Sequence, residues 1–162
     1  MGCVNRNLIS CAAFMAILLV SCAQPNTLGS AEPTGKDFDL NGTEWVLNVL
    51  KGEPLLEDTS ITLDFDDNSL GGYAGCNMYG SPYKVTAMTL SVESIYSDAQ
   101  GCTTPTGVMR QEEAYHRALY QATIYRVADN RLELANGAGD VTLVFIQRPQ
   151  LPMNPADLVG TK

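Results

Sequence analysis

An apolar segment near the N-terminus determines which part of this chain can belong to a folded domain. Residues 8–20 are almost wholly apolar and follow a short polar stretch whose only charge is Arg6. The run is shorter than the ~20 residues of a membrane-spanning helix, which is typical of a signal peptide. It ends in Leu19-Val20-Ser21-Cys22, which fits a lipobox. We therefore predict a lipoprotein signal peptide over residues 1–21 and a diacylglyceryl anchor on Cys22.

The segment behind this anchor indicates where the protein resides. Residues 22–37 are mostly small or polar and bury too little surface to fold, so they are predicted to be a flexible tether. We expect an exported chain, anchored by its lipid to the cell envelope. The residue after the anchor is Ala23 and not Asp, which permits sorting to an outer membrane and is equally compatible with the outer face of a plasma membrane.

The net charge of the chain limits the classes of partner that we expect it to bind. The formal net charge is −8, from 10 basic and 18 acidic residues, and the predicted signal peptide holds one basic residue and no acidic one. An acidic domain repels phosphate backbones and anionic headgroups. Nucleic acid is therefore excluded as an expected partner, and attachment to the membrane should come from the acyl chains.

Two cysteines, Cys76 and Cys102, follow the predicted anchor. In an exported domain such a pair most simply forms one disulfide. The closed loop of about 27 residues would stabilise the fold by about 3.5 kcal/mol. A metal site would need a second pair of ligands at suitable spacing, which the sequence lacks, so we predict no metal and no cofactor. A reactive thiol at Cys76 would need a nearby positive charge, which sequence alone does not place.

Short strands dominate the chain after the tether. In residues 60–65 apolar side chains alternate with polar ones, which is the pattern of a half-buried strand. Turn-forming residues separate such segments, as at 66–69, 129–130 and 136–139. Strands are predicted over residues 44–50, 60–65, 70–73, 83–86, 89–95, 123–127, 131–134 and 141–145.

One helix is predicted after a loop over residues 97–107, with Thr106 capping its start. Residues of one helical face recur there, namely Val108, Glu112, Tyr115, Leu119 and Ala122. Four glycines at 71, 72, 75 and 80 indicate bulges, close backbone approach or sharp bends. The order of strands, one helix and further strands predicts an antiparallel α+β fold or a partly open barrel.

Three ordered motifs carry a resemblance to a known family. They are Leu40-x-Gly42-Thr43-x-Trp45, Gly72-Tyr73-Ala74-Gly75-Cys76-Asn77 with Gly80 after it, and Cys102 before Met109-x-Gln111-Glu112. Together they resemble the META domain of HslJ-like heat-shock proteins, often bacterial lipoproteins. The resemblance implies a curved antiparallel sheet against a single α-helix, over a domain at residues 38–147, and no established enzymatic activity. The stretch 97–101 departs from the family pattern.

The C-terminal segment, residues 148–162, is rich in proline and is predicted to be a linker. Its last six residues, 157–162, match residues 39–44 at four positions. This match is either chance or the start of a second copy of the same domain.

Asn77 and Glu112 are the candidate residues of a binding surface, although a structural role beside the bent backbone at Gly75 is the simpler interpretation. No catalytic residue is predicted, since the lone histidine, His116, is expected on the surface of the helix.

The leading hypothesis is a non-enzymatic envelope lipoprotein, a stress-related structural or binding module for an unknown envelope protein. The first alternative is a carrier of a lipid or other small apolar ligand, which an apolar cavity would favour over a filled core. A hydrolase is the second alternative, and it needs a polar cleft that gathers His116 or Cys76 with acids.

Overall fold

The structure, a computed structural model, describes residues 38–149. The predicted signal peptide, Cys22, the tether and the repeated motif at 157–162 lie outside the described residues, so these predictions stay predictions. Within the described part, no helix has both the length and the apolar character needed to cross a bilayer.

The described residues form ten strands and one helix. In chain order they are β1 (Glu44–Leu50), β2 (Glu53–Pro54), β3 (Thr62–Asp66), β4 (Ser69–Tyr73), β5 (Met78–Thr86), β6 (Thr89–Val92), β7 (Tyr96–Ser97), α1 (Val108–Tyr120), β8 (Ala122–Ala128), β9 (Arg131–Asn136) and β10 (Val141–Gln147).

Eight of these strands close into an antiparallel barrel in the order β1, β3, β4, β5, β6, β8, β9, β10 and back to β1. The closing pair is β1 with β10, in which Trp45 lies opposite Gln147 and Leu47 opposite Phe145. The prediction of a partly open barrel is therefore wrong. Closure is favoured because it pairs the backbone groups of two seven-residue strands that would otherwise remain as open edges. The shortest pairing in the barrel is between β6 and β8, where Thr89 opposite Ile124 is the one paired position.

Large apolar side chains from the strands and the helix fill the interior of the barrel. The ring of Tyr115 on α1 lies 5.5 Å from that of Tyr79 on β5 and 6.5 Å from that of Phe145 on β10. These two strands lie on opposite sides of the eight-strand ring, so the helix packs across the interior. Among the largest fully buried side chains are Trp45, Tyr115, Phe65, Phe145, Leu40 and Ile61. This arrangement confirms the broad α+β description, with most of the fold in strands.

The start of the helix differs from the prediction. Thr106 does not cap it, because Gly107 stands between Thr106 and the first helical residue in a left-handed conformation (φ 96°), and no side chain caps the helix. The backbone N–H of Val108 instead donates to the carbonyl of Pro105 at 3.1 Å. The helix also ends at Tyr120, and Ala122 begins β8.

Close backbone approach explains two glycines of the cluster. A Cβ on Gly72 would collide with the backbone oxygen of Thr62 on β3, and one on Gly80 would collide with the phenol ring of Tyr96 on β7. Bare backbone at these positions lets β3 and β7 pack closely against β4 and β5. The prediction of close approach is confirmed here.

Candidate binding groove

The predicted disulfide is present. Cys76 and Cys102 are bonded, with their Cα atoms 5.9 Å apart. The bond joins the segment between β4 and β5 to the loop that precedes α1. The backbone N–H of Cys102 also contacts the sulfur of Met109 at 3.4 Å. The loop is therefore tied both to the barrel and to the first turn of the helix.

The two candidate residues from the sequence, Asn77 and Glu112, bind each other. The backbone N–H of Asn77 donates to Oε2 of Glu112 at 2.8 Å, and its Nδ2 donates to Oε1 at 2.8 Å. The two residues are only 2% and 6% exposed, respectively. A buried carboxylate needs such partners. These hydrogen bonds hold the helix against the segment between β4 and β5, and a place for the two residues on a binding surface stays a prediction.

The side chain of Asn77 also holds the loop at residues 97–101. Its Oδ1 accepts from the backbone N–H of Gln100 at 2.9 Å, and its Nδ2 donates to the carbonyl of Gln100 at 3.2 Å. One amide group therefore connects the helix, the barrel and the loop.

The neighbouring Gln111 has the same role on another side of the helix. Its Oε1 accepts from the backbone N–H of Leu56 at 2.7 Å, and its Nε2 donates to Oγ1 of Thr59 at 3.0 Å. The motif Met109-x-Gln111-Glu112 thus contacts three separate segments. These contacts explain why polar residues occupy buried positions of this helix.

The pair of Asn77 and Glu112 lies at one side of an open groove of about 630 Å³. The loop at residues 97–101 forms one wall of this groove, and one face of α1 forms the other. The helical residues in the lining are Met109, Arg110, Glu112, Glu113 and His116. Two of the lining residues, Asn77 and Glu112, were predicted from the sequence as part of a candidate surface. The proximity of the loop to the helix was not predicted. Met109, Glu113 and His116 recur at positions i, i+4 and i+7, and this spacing was the available signal.

His116 is half-buried, and the expectation of a surface residue was therefore only partly met. Its ring packs 5.3 Å from that of Tyr79 and 5.8 Å from that of Tyr115. Its Nε2 is shielded from solvent and has no hydrogen-bond partner in the described part of the chain. Burial lowers the pKa of His116 below its ordinary value, while the charge of Glu112 opposes this shift. Lowering the pKa favours the neutral ring.

The charged residues of the groove are mainly acidic. Asp98, Glu112 and Glu113 line it together with a single basic residue, Arg110. Glu113 forms an exposed ion pair with Arg117 at 2.5 Å, one turn further along the helix. Arg110 has no ion pair among residues 38–149. The groove therefore combines apolar lining with a modest excess of negative charge.

The groove gathers His116 with acids, which the hydrolase alternative requires, but within residues 38–149 no hydroxyl or thiol group is hydrogen-bonded to its ring. The hydroxyl of Ser97 donates to the backbone oxygen of Asp98 at 3.1 Å, and the sulfur of Cys76 is held in the disulfide. Nucleophilic catalysis needs a hydrogen bond between nucleophile and base. No group of three or more metal-binding side chains occurs among the described residues.

Solved structures with the same fold are known. The protein from Burkholderia xenovorans, determined by NMR, has a TM-score of 0.57 and 23% identity over 78% of this chain and 100% of its own. The crystal structure of a DUF4847 family protein from Bacteroides vulgatus ATCC 8482 has a TM-score of 0.52 and 15% identity over 68% of this chain and 96% of its own. At such low identity the likeness shows the fold alone. No curated protein matches the chain.

The match of a family profile to the amino-acid sequence identifies the family. The profile of the META domain matches residues 38–150, which include all three motifs described above and most of the chain. The barrel, the disulfide and the buried pair of Asn77 and Glu112 lie within this match. This chain belongs to the META domain family.

Proposed function

We propose that this chain is a non-enzymatic lipoprotein of the cell envelope, a binding module that presents its groove to another envelope component. The observation that carries the proposal is the rigid frame of the groove. The disulfide, Asn77 and Glu112 fix the loop at residues 97–101 against the helix, while the loop itself stays exposed. A fixed, exposed concave surface is suited to recognition. A role in stress responses stays an expectation from the family.

The interior of the barrel favours this module over a carrier. Aromatic and branched side chains from the strands and from α1 meet in one buried cluster, in which Trp45, Tyr115 and Phe145 are fully buried. A lipid carrier would need space between helix and sheet. We therefore assign recognition to the outer groove and not to the interior.

The location is tested by the intact mass of the mature protein purified from host membranes, before and after reduction. We expect a mass with acyl chains on Cys22 and a gain of two protons on reduction of the disulfide. A mass without acyl chains would reject the anchored lipoprotein.

Recognition at the groove is tested in the same host cells. A photo-crosslinking residue is placed at Gly101, which lines the groove, or at Ala138, which is exposed in the turn between β9 and β10 and does not line it. We expect a discrete crosslinked product from Gly101 and none from Ala138. Equal products from both positions, or none from Gly101, would reject the groove as the binding surface. Hydrolysis of generic esters that is lost in His116→Ala would instead support the hydrolase.

A further inference from the structure

The loop at residues 97–101 follows β7, and Asp98 continues the antiparallel pairing of that strand with β5. The backbone N–H of Asp98 donates to the carbonyl of Met78 on β5 at 3.1 Å, as in an antiparallel ladder. Two residues later, the N–H and carbonyl of Gln100 both bind the side-chain amide of Asn77. This amide takes the place of the next backbone partner. The N–H of Asp98 and both backbone groups of Gln100 therefore bind partners on the barrel.

In an extended chain the backbone groups of successive residues point to opposite sides. Continued alternation directs those of Ala99 and Gly101 away from the barrel, and both residues line the groove. Neither residue has a backbone hydrogen bond in the described part of the chain, and both are exposed. Their side chains are also the smallest available, so they leave the edge accessible to another strand. An unpaired edge of this kind is a template for strand addition.

The helix supplies the second wall that such an added strand would contact. Met109 and His116 offer an apolar thioether and a half-buried imidazole, and Glu113 lies between them on the same face. Asp98 adds a second carboxylate on the side of the loop. Arg110 also lines the groove and Glu113 is paired with Arg117, so the local excess of negative charge is modest. Together with the net charge of −8 it favours a strand that carries basic side chains and disfavours an acidic one.

We propose that the groove binds an extended, basic peptide segment of a partner protein by strand addition to the edge formed by Ala99 and Gly101. The backbone of the segment pairs with these two residues. Every second side chain of the segment lies against Met109 and His116, and the basic side chains between them lie near Asp98. This inference rests on the proposed function, because it names the class of partner for the same groove.

The test uses the mature protein in detergent, labelled with nitrogen-15 at alanine and glycine, and an acetylated heptapeptide of alternating lysine and valine. At millimolar peptide we expect the amides of Ala99 and Gly101 to shift and to become protected from hydrogen exchange. The same peptide with glutamate in place of lysine should bind at least tenfold more weakly. Absence of protection at both amides, or equal binding of the two peptides, would overturn the proposal.

Two further peptides of identical charge separate strand addition from attraction between charges alone. One is N-methylated at the valine residues and the other at the lysine residues, so each loses the N–H groups of one edge only. An added strand uses one edge, and we expect the two peptides to differ in affinity by about tenfold or more, since two hydrogen bonds are lost in only one of them. Equal affinities would overturn strand addition.

A matched pair of variants tests the edge of the protein. Ala99→Pro removes the N–H of residue 99, while Ala99→Ser keeps it. We expect peptide affinity to fall about 3- to 10-fold in Ala99→Pro and to stay within about twofold in Ala99→Ser. Equal affinity for both folded variants would overturn the proposal, and the methylated peptides decide the matter if Ala99→Pro does not fold. Crosslinking from Gly101 in cells without peptide binding would retain the proposed function and reject only strand addition.

Discussion

Replacing Glu112 by alanine should be among the most damaging single changes on the helix. Its carboxylate accepts two hydrogen bonds from Asn77, both at 2.8 Å, and both residues are almost fully buried. A hydrogen bond to a charged group contributes about 1.5–3 kcal/mol, and a buried donor left without a partner costs about as much. Partial hydration from the open groove will offset some of this loss. We therefore expect Glu112→Ala to lower the free energy of unfolding by about 3 kcal/mol.

The adjacent residue provides the control. Glu113→Ala is the same substitution on the same helix, so the change in helix propensity is similar, but Glu113 is exposed and bound only to Arg117. Such an exposed pair contributes about 0.3–0.5 kcal/mol. Both variants would be unfolded in denaturant with the disulfide intact and compared with the parent protein. A difference between the two variants below about 1 kcal/mol would refute the argument that the buried carboxylate holds the groove together.

Three other changes follow from the same structure. Replacing Cys76 and Cys102 together by serine should lower the free energy of unfolding by about 3.5 kcal/mol, because the loop is no longer closed in the unfolded chain, and an unchanged denaturation midpoint would contradict this. Gly72→Ala should cost at least 1–3 kcal/mol, roughly the cost of overpacking, since its Cβ would meet the backbone of Thr62; calorimetry that shows no loss would contradict it. The lowered pKa of His116 means that the folded state binds fewer protons than the unfolded state, whose ordinary pKa is 6.5. Stability should therefore decline as the pH falls from about 6.5, and less so in His116→Gln, as measured by unfolding at several pH values.

Much of the fold could be predicted because its signals are local. Alternation within single strands, turn residues between them and the spacing along the helix gave the hairpins and α1. Closure of the barrel could not be predicted in this way, because it depends on β1 pairing with β10, from opposite ends of the domain. The two-residue strands β2 and β7 are too short for any periodicity. The strand predicted over residues 83–86 covers only the end of β5, whose earlier part contains Gly80 and Pro82, residue types that are uncommon inside strands.

The groove was harder to predict than the fold because it joins distant parts of the chain. Asn77 and Glu112 were named from motifs, and their mutual hydrogen bonds explain why both occur there. The polarity of His116 suggested the surface, since sequence does not reveal that the rings of Tyr79 and Tyr115 pack around it.

The stretch 97–101 forms the exposed wall of the groove, whereas Asn77 and Glu112 lie in its frame. This division has a physical basis. Asn77 binds the backbone of Gln100, so the wall is held without any requirement on its side chains. The frame depends on particular side chains, because the two carboxylate oxygens of Glu112 each accept from one donor of Asn77. We therefore expect the side chains of the wall to change the choice of partner with little effect on stability, which substitutions at Asp98 and Gln100 would measure directly by denaturant unfolding and peptide titration.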